Sequence, residues 1–430
     1  MKKKNVLVFP AGTEIGLEIH AALRDCKDIQ LFGAGQNISN HATFVYSEYH
    51  HLPNIHETGW LAALTALCKT LAIDYIFPAY DDVIVALSQH RQEIPACIIA
   101  PSVEACEITR SKALTYQKLA PFLRVPHTYD DIEQVKNYPV FVKPNRGQGS
   151  FGIHKANNRE ELQHACATLP DPIISEYLPG EEYTVDCFSD RQRGVLFAHA
   201  RSRQRVRNGI SVHSVSVALD EAWALAEKIH VALQLHGAWF FQLKRAANNE
   251  LALLEVAPRI AGAMATHRVT GVNFPLLSIY EAERLPLSIF TNTHPIELDR
   301  ALCNRYKHTI RFSTLYVDLD DTLILNGQVN TRIVSLIFQC LNQGKQVKLI
   351  TRHSQDLSAT LRQYRLEGLF DAVIHLTNKE PKSSYIHEKD AIFIDDSFAE
   401  RREVFMNCGI PTFDCSMAEM LIQQAAFHNQ

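Results

Sequence analysis

The stretch Pro139-Val-Phe-Val-Lys-Pro-Asn-Arg-Gly-Gln-Gly-Ser-Phe-Gly-Ile-His-Lys155 sets a G-x-G-x-x-G spacing, Gly147 to Gly152, between two extended runs. A dinucleotide-binding fingerprint opens a helix, because the helix N-terminus has to face the pyrophosphate. Here the run after the loop, Gly152-Ile-His-Lys155, is extended as well. The glycines are therefore expected in a hairpin whose backbone amides can close over phosphates. Taken alone, an ordinary flexible turn explains the loop equally well.

On the N-terminal side, residues 5 to about 110 alternate short apolar runs (Val6 to Phe9, Ile29 to Phe32, Tyr75 to Pro78) with helical patterns around Gly16 to Arg24 and Leu61 to Leu71. That alternation predicts a parallel α/β unit over 1–110. From 111 to 300 the pattern becomes hairpins with interspersed helices, an α+β unit. Beyond a short linker near Leu298 to Ile310, three apolar runs each end in a polar residue. Leu315 to Val317 precedes Asp318, Val347 to Ile350 precedes Thr351, and Ile392 to Ile394 precedes Asp395. Helical segments around Arg332 to Gln343 and Leu357 to Gly368 separate them, so parallel strands should bring their carboxyl ends to one crevice in a third unit, 311–430.

Composition fits such an enzyme of small molecules. With 430 residues, several cores are expected, and a formal charge of -4 favours neither nucleic acid nor an acidic membrane as partner. The ten cysteines are scattered without a C-x-x-C pair, as in a reduced cytoplasmic protein. The basic start Met1-Lys-Lys-Lys is followed by an apolar run that stops at Pro10, and no stretch has the length of a membrane span.

A metal pair can be read from the hairpin. Trp239 to Arg245 and Glu250 to Val256 flank Asn248-Asn249, and asparagine tolerates the positive φ of a two-residue turn. With those two as the turn, Ala247 faces Glu250 and Gln242 falls opposite Glu255. Two oxygen donors on one face suit magnesium, with a plain cross-strand hydrogen bond as the alternative. Further along, Arg201, Arg203, Arg205 and Arg207 alternate with other residues, which on a regular strand places all four on one face. Such a face suits ATP phosphates, an acyl phosphate or a carboxylate, and a solvated edge strand is the plain alternative.

Val140-Phe-Val-Lys143-Pro, the glycine loop, Ile174-Ser-Glu176-Tyr-Leu178-Pro-Gly-Glu-Glu182-Tyr-Thr-Val and Leu254-Glu255-Val-Ala-Pro258-Arg259 occur in the order seen in the ATP-grasp superfamily. Over roughly residues 1 to 300 the chain resembles its carbamoyl-phosphate-synthetase-like branch. The resemblance implies a Rossmann-like pre-ATP-grasp domain followed by the ATP-grasp fold. By position it implies Lys112 and Lys143 on the nucleotide phosphates with Gly147, Gly149 and Ser150, and Glu176, Tyr177 and Leu178 at the adenine. It likewise implies Glu182 on the ribose, Gln242 and Glu255 on Mg2+ (or Mn2+), and Arg259 at the transferring phosphate; Arg201 and Arg203 would join the nucleotide site. Ala257 stands where the branch has a further metal-binding asparagine. ATP, a small carboxylate and an amine would be the substrates, the carboxylate passing through an acyl phosphate with release of ADP. A kinase-like activity that stops at an acyl or carbamoyl phosphate, or an ATP sensor, is the alternative. A homodimer is compatible with the sequence.

Asp318-Leu-Asp320-Asp321-Thr322, Thr351, a lysine at Lys382 or Lys379, and the Asp395-Asp396 pair resemble the haloacid dehalogenase superfamily over 311–430. The spacing from Asp320 to Thr351 holds one helix and a turn, which implies a cap-less, Rossmann-like phosphohydrolase domain. The resemblance implies Asp318 as nucleophile, Asp320 as general acid and base, and Thr351 and Lys382 on the phosphoryl group. It implies Mg2+ held by Asp318, Asp320, Asp395 and Asp396, and a phosphorylated metabolite as substrate.

Overall fold

The computed structural model describes residues 3–147, 149, 152–292 and 294–422. The chain divides into two compact units, Met1–Leu302 and Cys303–Gln430. Among the described residues no helix is long and apolar enough to cross a membrane.

The first unit opens with a five-stranded parallel sheet in the order Tyr49–His51, Ile29–Gly35, Lys4–Phe9, Tyr75–Pro78, Cys97–Ile98. Val6, Leu7 and Val8 are fully buried on the central strand, because helices cover both faces. The helix Glu14–Leu23 is capped by Thr13, whose Oγ1 accepts from Gly16 N at 3.0 Å. A Cβ on Gly16 would lie 2.4 Å from the Ala11 carbonyl oxygen, so only glycine lets the helix start this close to the strand end. The helix Asp81–Gln89 starts just beyond the end of Tyr75–Pro78, and both helix starts present polar side chains at the carboxyl edge of the sheet.

Two antiparallel sheets follow. The four-stranded one runs Thr128–Tyr129, Pro172–Glu176, Val140–Pro144, His154–Ala156, with the glycine loop joining its last two strands. The six-stranded one runs Leu251–Ala257, Gly237–Arg245, Glu182–Asp190, Gly194–Arg207, Ile210–Val217, Glu297–Asp299. Trp239, Phe241 and Val185 lie on its buried face under the helix Ala222–Leu233.

The hairpin carrying Gln242 and Glu255 differs from the expected one in two places. Its loop has three residues, not two: Ala246 N donates to Glu250 O at 2.8 Å, Asn249 N donates to Ala246 O at 3.0 Å, and Asn249 alone of the asparagine pair takes a positive φ, 67°. Ala247 therefore does not face Glu250, and Arg245 pairs with Leu251. A register shift next to Gln242 then inserts one residue, Leu254, on the returning strand, which restores Gln242 opposite Glu255. The arginine run also departs from regular alternation. Register shifts between Arg203 and Arg205 and between Arg205 and Val206 break the period of two, so the four side chains do not form one face.

The second unit is a five-stranded parallel sheet in the order Ala372–His375, Gln346–Thr351, Thr314–Val317, Ala391–Ile394, Thr412–Phe413. The three central strands are those expected, and Leu315, Val317, Leu349 and Ile392 are fully buried. The two edge strands, Ala372–His375 and Thr412–Phe413, were not expected from the sequence. The helix Leu357–Gln363 ends earlier than its apolar pattern suggested, where Arg365 turns to a φ of 58°.

The three-residue loop predicts that Asn249→Ala destabilises the first unit by about 1 kcal/mol, the cost of a Cβ-bearing residue without a local polar side chain at positive φ. Asn249→Gly should be near neutral. Urea unfolding of the three proteins checks both.

Candidate active site

Beneath the glycine loop lies a cleft enclosing about 900 Å³, part of it open to solvent, between the two antiparallel sheets. It is lined by Lys112, Lys143, Gly147, Gly149, Glu176, Tyr177, Leu178, Glu182, Arg203, Gln242 and Glu255, so these sequence-derived candidates for nucleotide and metal come together in one place, whereas Arg201 does not line it. Ser150 lies outside the described residues.

Lys143 is 5% exposed; its ammonium donates to Tyr116 Oη at 2.7 Å and has no carboxylate partner among the described residues. Burial, and then the neighbouring Lys112 charge, push it down to about 7. Lys112 donates to the Gly147 carbonyl at 3.2 Å, and burial lowers its pKa as well. Two cations held in a cleft with so little internal compensation fit a polyphosphate. Glu176 turns its carboxylate to Arg124 and to the His127 amide, at 3.2 and 3.1 Å, leaving the following Tyr177-Leu178 segment on the cleft wall. Glu182 is shared between Arg203 at 3.2 Å and Lys244 at 3.6 Å. Gln242 and Glu255 are cross-strand neighbours at the far end.

That end opens into a second cavity, lined by both Gln242 and Glu255 and by Asp81, Arg201, Arg203, Arg259, Glu14 and Arg300. The arginine face expected from alternation is taken apart by ion pairs. Arg201, 3% exposed, grips Asp186 through Nε at 2.8 Å and Nη2 at 3.3 Å. Arg203 pairs with Glu182, and Arg205 with Asp299 on the edge strand at 2.5 Å. Arg259 pairs through Nε with Asp81, and its guanidinium lies 5.2 Å from the centre of the Phe240 ring. Burial pushes the Asp81 carboxyl up, but Arg259, Arg110 and Lys112 outweigh it and hold the group below its usual value. Asp81, Glu14, Asp186 and Arg300 were not singled out from sequence. The Asp81-Asp82 pair directly after an apolar strand was the signal that could have found the first of them.

In the second unit Lys382 is buried at the crevice and donates to Asp318 at 2.7 Å and Asp395 at 2.6 Å. Lys379 is exposed, so Lys382 is the lysine that the fold brings to the carboxylates. Burial, with the Asp395 charge adding to it against Lys382, pushes Asp318 up to about 7. One oxygen each of Asp318, Asp395 and Asp396 lies within 4.8 Å of the others, an arrangement able to hold a cation. Asp320 is outside that group, contrary to the expected ligand set. Its carboxylate is turned to His353 Nδ1, 2.9 Å away, while His353 Nε2 contacts Thr360 Oγ1 at 2.8 Å. Thr351 Oγ1 is buried at the end of its strand without a hydrogen-bond partner among the described residues. His353, two residues past Thr351, was also missed; a lone histidine after a strand gives no periodic signal.

Residues 168–298 match the family described as "ATP-grasp in the biosynthetic pathway with Ter operon", and residues 108–204 match "D-ala D-ala ligase C-terminus". Among curated proteins, a D-alanine–D-alanine ligase of Fusobacterium nucleatum subsp. nucleatum is 31% identical over 147 residues, which are 31% of this chain and 51% of that protein. One of Marinomonas sp. is 40% identical over 65 residues, 14% of this chain and 20% of its own length. The chain thus spans about half the length of the first ligase and less of the second. Among solved structures, the biotin carboxylase domain of the 2-oxoglutarate carboxylase of Hydrogenobacter thermophilus is similar with a TM-score of 0.58 at 17% identity, over 68% of this chain and 72% of that one. An L-amino acid ligase from Bacillus licheniformis is similar with a TM-score of 0.53 at 17% identity, over 67% and 76%. At that identity the structures speak for the fold alone. Both family matches end at or before residue 298.

Lys143→Met should stabilise the ligand-free protein by up to about 4 kcal/mol near neutral pH, since it removes a buried charge. Lysine titrates near 10.5 when unfolded and near 7 here, so between those values the unfolded chain carries the extra proton and stability rises with pH. The wild-type deficit relative to Lys143→Met should be full below about pH 7 and vanish towards pH 10.5; thermal melts across pH check it. Lys382→Met should destabilise the second unit by about 3 kcal/mol, because it strands two buried carboxylates. Unfolding followed by denaturant titration reads this directly.

Proposed function

We propose, on the premise that residues 1–302 belong to the ATP-grasp superfamily, that this protein is an ADP-forming carboxylate–amine ligase that uses ATP and Mg2+, joined to a Mg2+-dependent phosphohydrolase. The observation that carries the ligase reading is the meeting, in one cleft, of two under-compensated lysines with the Gln242–Glu255 oxygen pair. The motif-level resemblance had pointed to the carbamoyl-phosphate-synthetase-like branch; the relatives found are D-alanine ligases and biotin-carboxylase-like folds.

In this reading Tyr177 and Leu178 receive the adenine, Glu182 the ribose, and Lys112, Lys143 and the glycine-loop amides the phosphates. Gln242 and Glu255 would hold Mg2+, which supplies charge neutralisation at the β- and γ-phosphate oxygens when bound. A carboxylate oxygen of the acceptor, lying in the second cavity, attacks the γ-phosphorus in line and ADP leaves. Arg259, fixed by Asp81, faces the transferring group and lowers the cost of its charge. The amine nitrogen then attacks the acyl carbon, loses a proton, and phosphate departs. Ala257 offers no oxygen beside Glu255, so a second cation there would depend on Glu255 and phosphate oxygens.

For the second unit, the buried Asp318–Lys382–Asp395 triad and the unpartnered Thr351 hydroxyl support a phosphohydrolase. An Asp318 oxygen attacks phosphorus, Asp320 swings from His353 to protonate the leaving oxygen, and water then releases phosphate. Lys382 and Thr351 hold the phosphoryl oxygens.

Glu255→Gln should lower ATP turnover at least a hundredfold while leaving hydrolysis of p-nitrophenyl phosphate within twofold of wild type, and Asp318→Asn should do the reverse. Turnover should yield ADP. AMP as the nucleotide product, or loss of both activities from either substitution in a folded protein, contradicts the assignment.

A further inference from the structure

The nucleotide cleft and the second cavity share Gly149, Arg203, Gly209, Gln242 and Glu255, and so meet at the reacting end of the cleft. Glu14, Gly262 and Arg300 line only the second cavity. Of the four guanidinium groups there, three are compensated within the fold: Arg201 by Asp186, Arg203 by Glu182, Arg259 by Asp81. Arg300 has no ion pair and no side-chain hydrogen bond among the described residues, although it is partly buried. Burial accordingly lowers its pKa.

Arg300 is nevertheless well placed. Its amide donates to the Val212 carbonyl at 2.7 Å, and the preceding strand Glu297–Asp299 pairs with Ile210–Val217 and is further tied by Arg205–Asp299 and His213–Glu297. Its two terminal nitrogens lie 3.1 and 3.2 Å from where a Cβ on Gly262 would be, and Glu14 Cγ lies 2.9 Å from the same point. Gly262 thus clears the space through which Arg300 and Glu14 enter the cavity. Glu14 forms no ion pair with Arg300, so a cation is held at the acceptor end with only long-range compensation.

We propose that Arg300 is a specificity-determining residue that binds an anionic group of the acceptor other than the carboxylate to be phosphorylated. The acceptor is then a small molecule with at least two anionic groups, one at the Gln242–Glu255 end and one, a carboxylate or a phosphate-like group, on Arg300. Its uncharged or cationic part faces Glu14. The inference rests on the ligase reading.

Binding to the full-length protein with Mg2+ and a non-hydrolysable ATP analogue tests it by titration calorimetry. The probes are succinate, glutarate, aspartate, glutamate and phosphonoacetate, against butyrate, valerate, alanine and acetate. At least one dianionic probe should bind tenfold or more tightly than its monoanionic counterpart. Whether that probe is a dicarboxylate or phosphonoacetate tells which anion Arg300 takes. Arg300→Met should abolish the preference while the analogue binds within twofold of wild type, and Arg300→Lys should keep part of it. Gly262→Ala, which crowds Arg300 without removing its charge, should weaken the dianion selectively and serves if Arg300→Met fails to fold. Equal binding of the two classes, no dianion binding by protein that holds the analogue, or an unchanged preference in Arg300→Met overturns the proposal. Failure of wild-type protein to bind the Mg2+–nucleotide analogue instead removes the ligase reading beneath it.

Discussion

Glu255 stands opposite Gln242 because two irregularities cancel, and the chemistry proposed for the first unit depends on that register. A three-residue loop shifts the hairpin by one position, and the extra residue Leu254 shifts it back. Without the second shift the strand would present Glu255 to a different neighbour, and the two oxygen donors at the junction of the cavities would part. The bulged residue is also held from outside, since Tyr116 Oη donates to the Leu254 carbonyl at 2.8 Å and itself accepts from Lys143. One tyrosine therefore links the register of the hairpin to the placement of the buried lysine.

Around this junction the fold separates charges that it compensates from charges that it leaves open. Arg201, Arg203 and Arg259 each have a carboxylate partner, which lets them sit in a low-dielectric cavity at tolerable cost. The partner of Arg259 opens the helix that follows the strand Tyr75–Pro78, so the Asp81–Arg259 pair ties the carboxyl edge of the parallel sheet to the chain just past the hairpin. Lys143, Lys112 and Arg300 are the exceptions, and all three line cavities. The second unit does the converse: its cation, Lys382, is saturated by Asp318 and Asp395, and it is the Thr351 hydroxyl that is left without a partner.

Much of this could be read from the chain. Apolar runs ending in a polar residue located the parallel strands of both units, since a strand buried on both faces leaves a dense apolar signal and its carboxyl end carries the chemistry. The glycine loop was placed between strands by the extended run that follows it. Gln242 and Glu255 were paired correctly, but by a count that assumed a regular turn. The arginine alternation misled because pairing partners distant in sequence, Asp186 and Asp299 among them, decide where each guanidinium points, and because bulges interrupt the period. Asp81, Arg300 and His353 escaped notice for a related reason: each gains its meaning from a neighbour that only the fold supplies. The resemblance of its motif implied Asp320 on the cation, whereas His353 draws its carboxylate aside.

The central claim is that the register of one hairpin builds a divalent-cation and nucleotide site. A crystal structure of the protein grown with Mn2+ and a non-hydrolysable ATP analogue, with anomalous diffraction recorded near the manganese edge, tests it most directly. The account predicts an anomalous peak within bonding distance of both Gln242 and Glu255, with the adenine against Tyr177 and Leu178. A nucleotide bound elsewhere, or a nucleotide in the cleft with no peak between those two side chains, contradicts it.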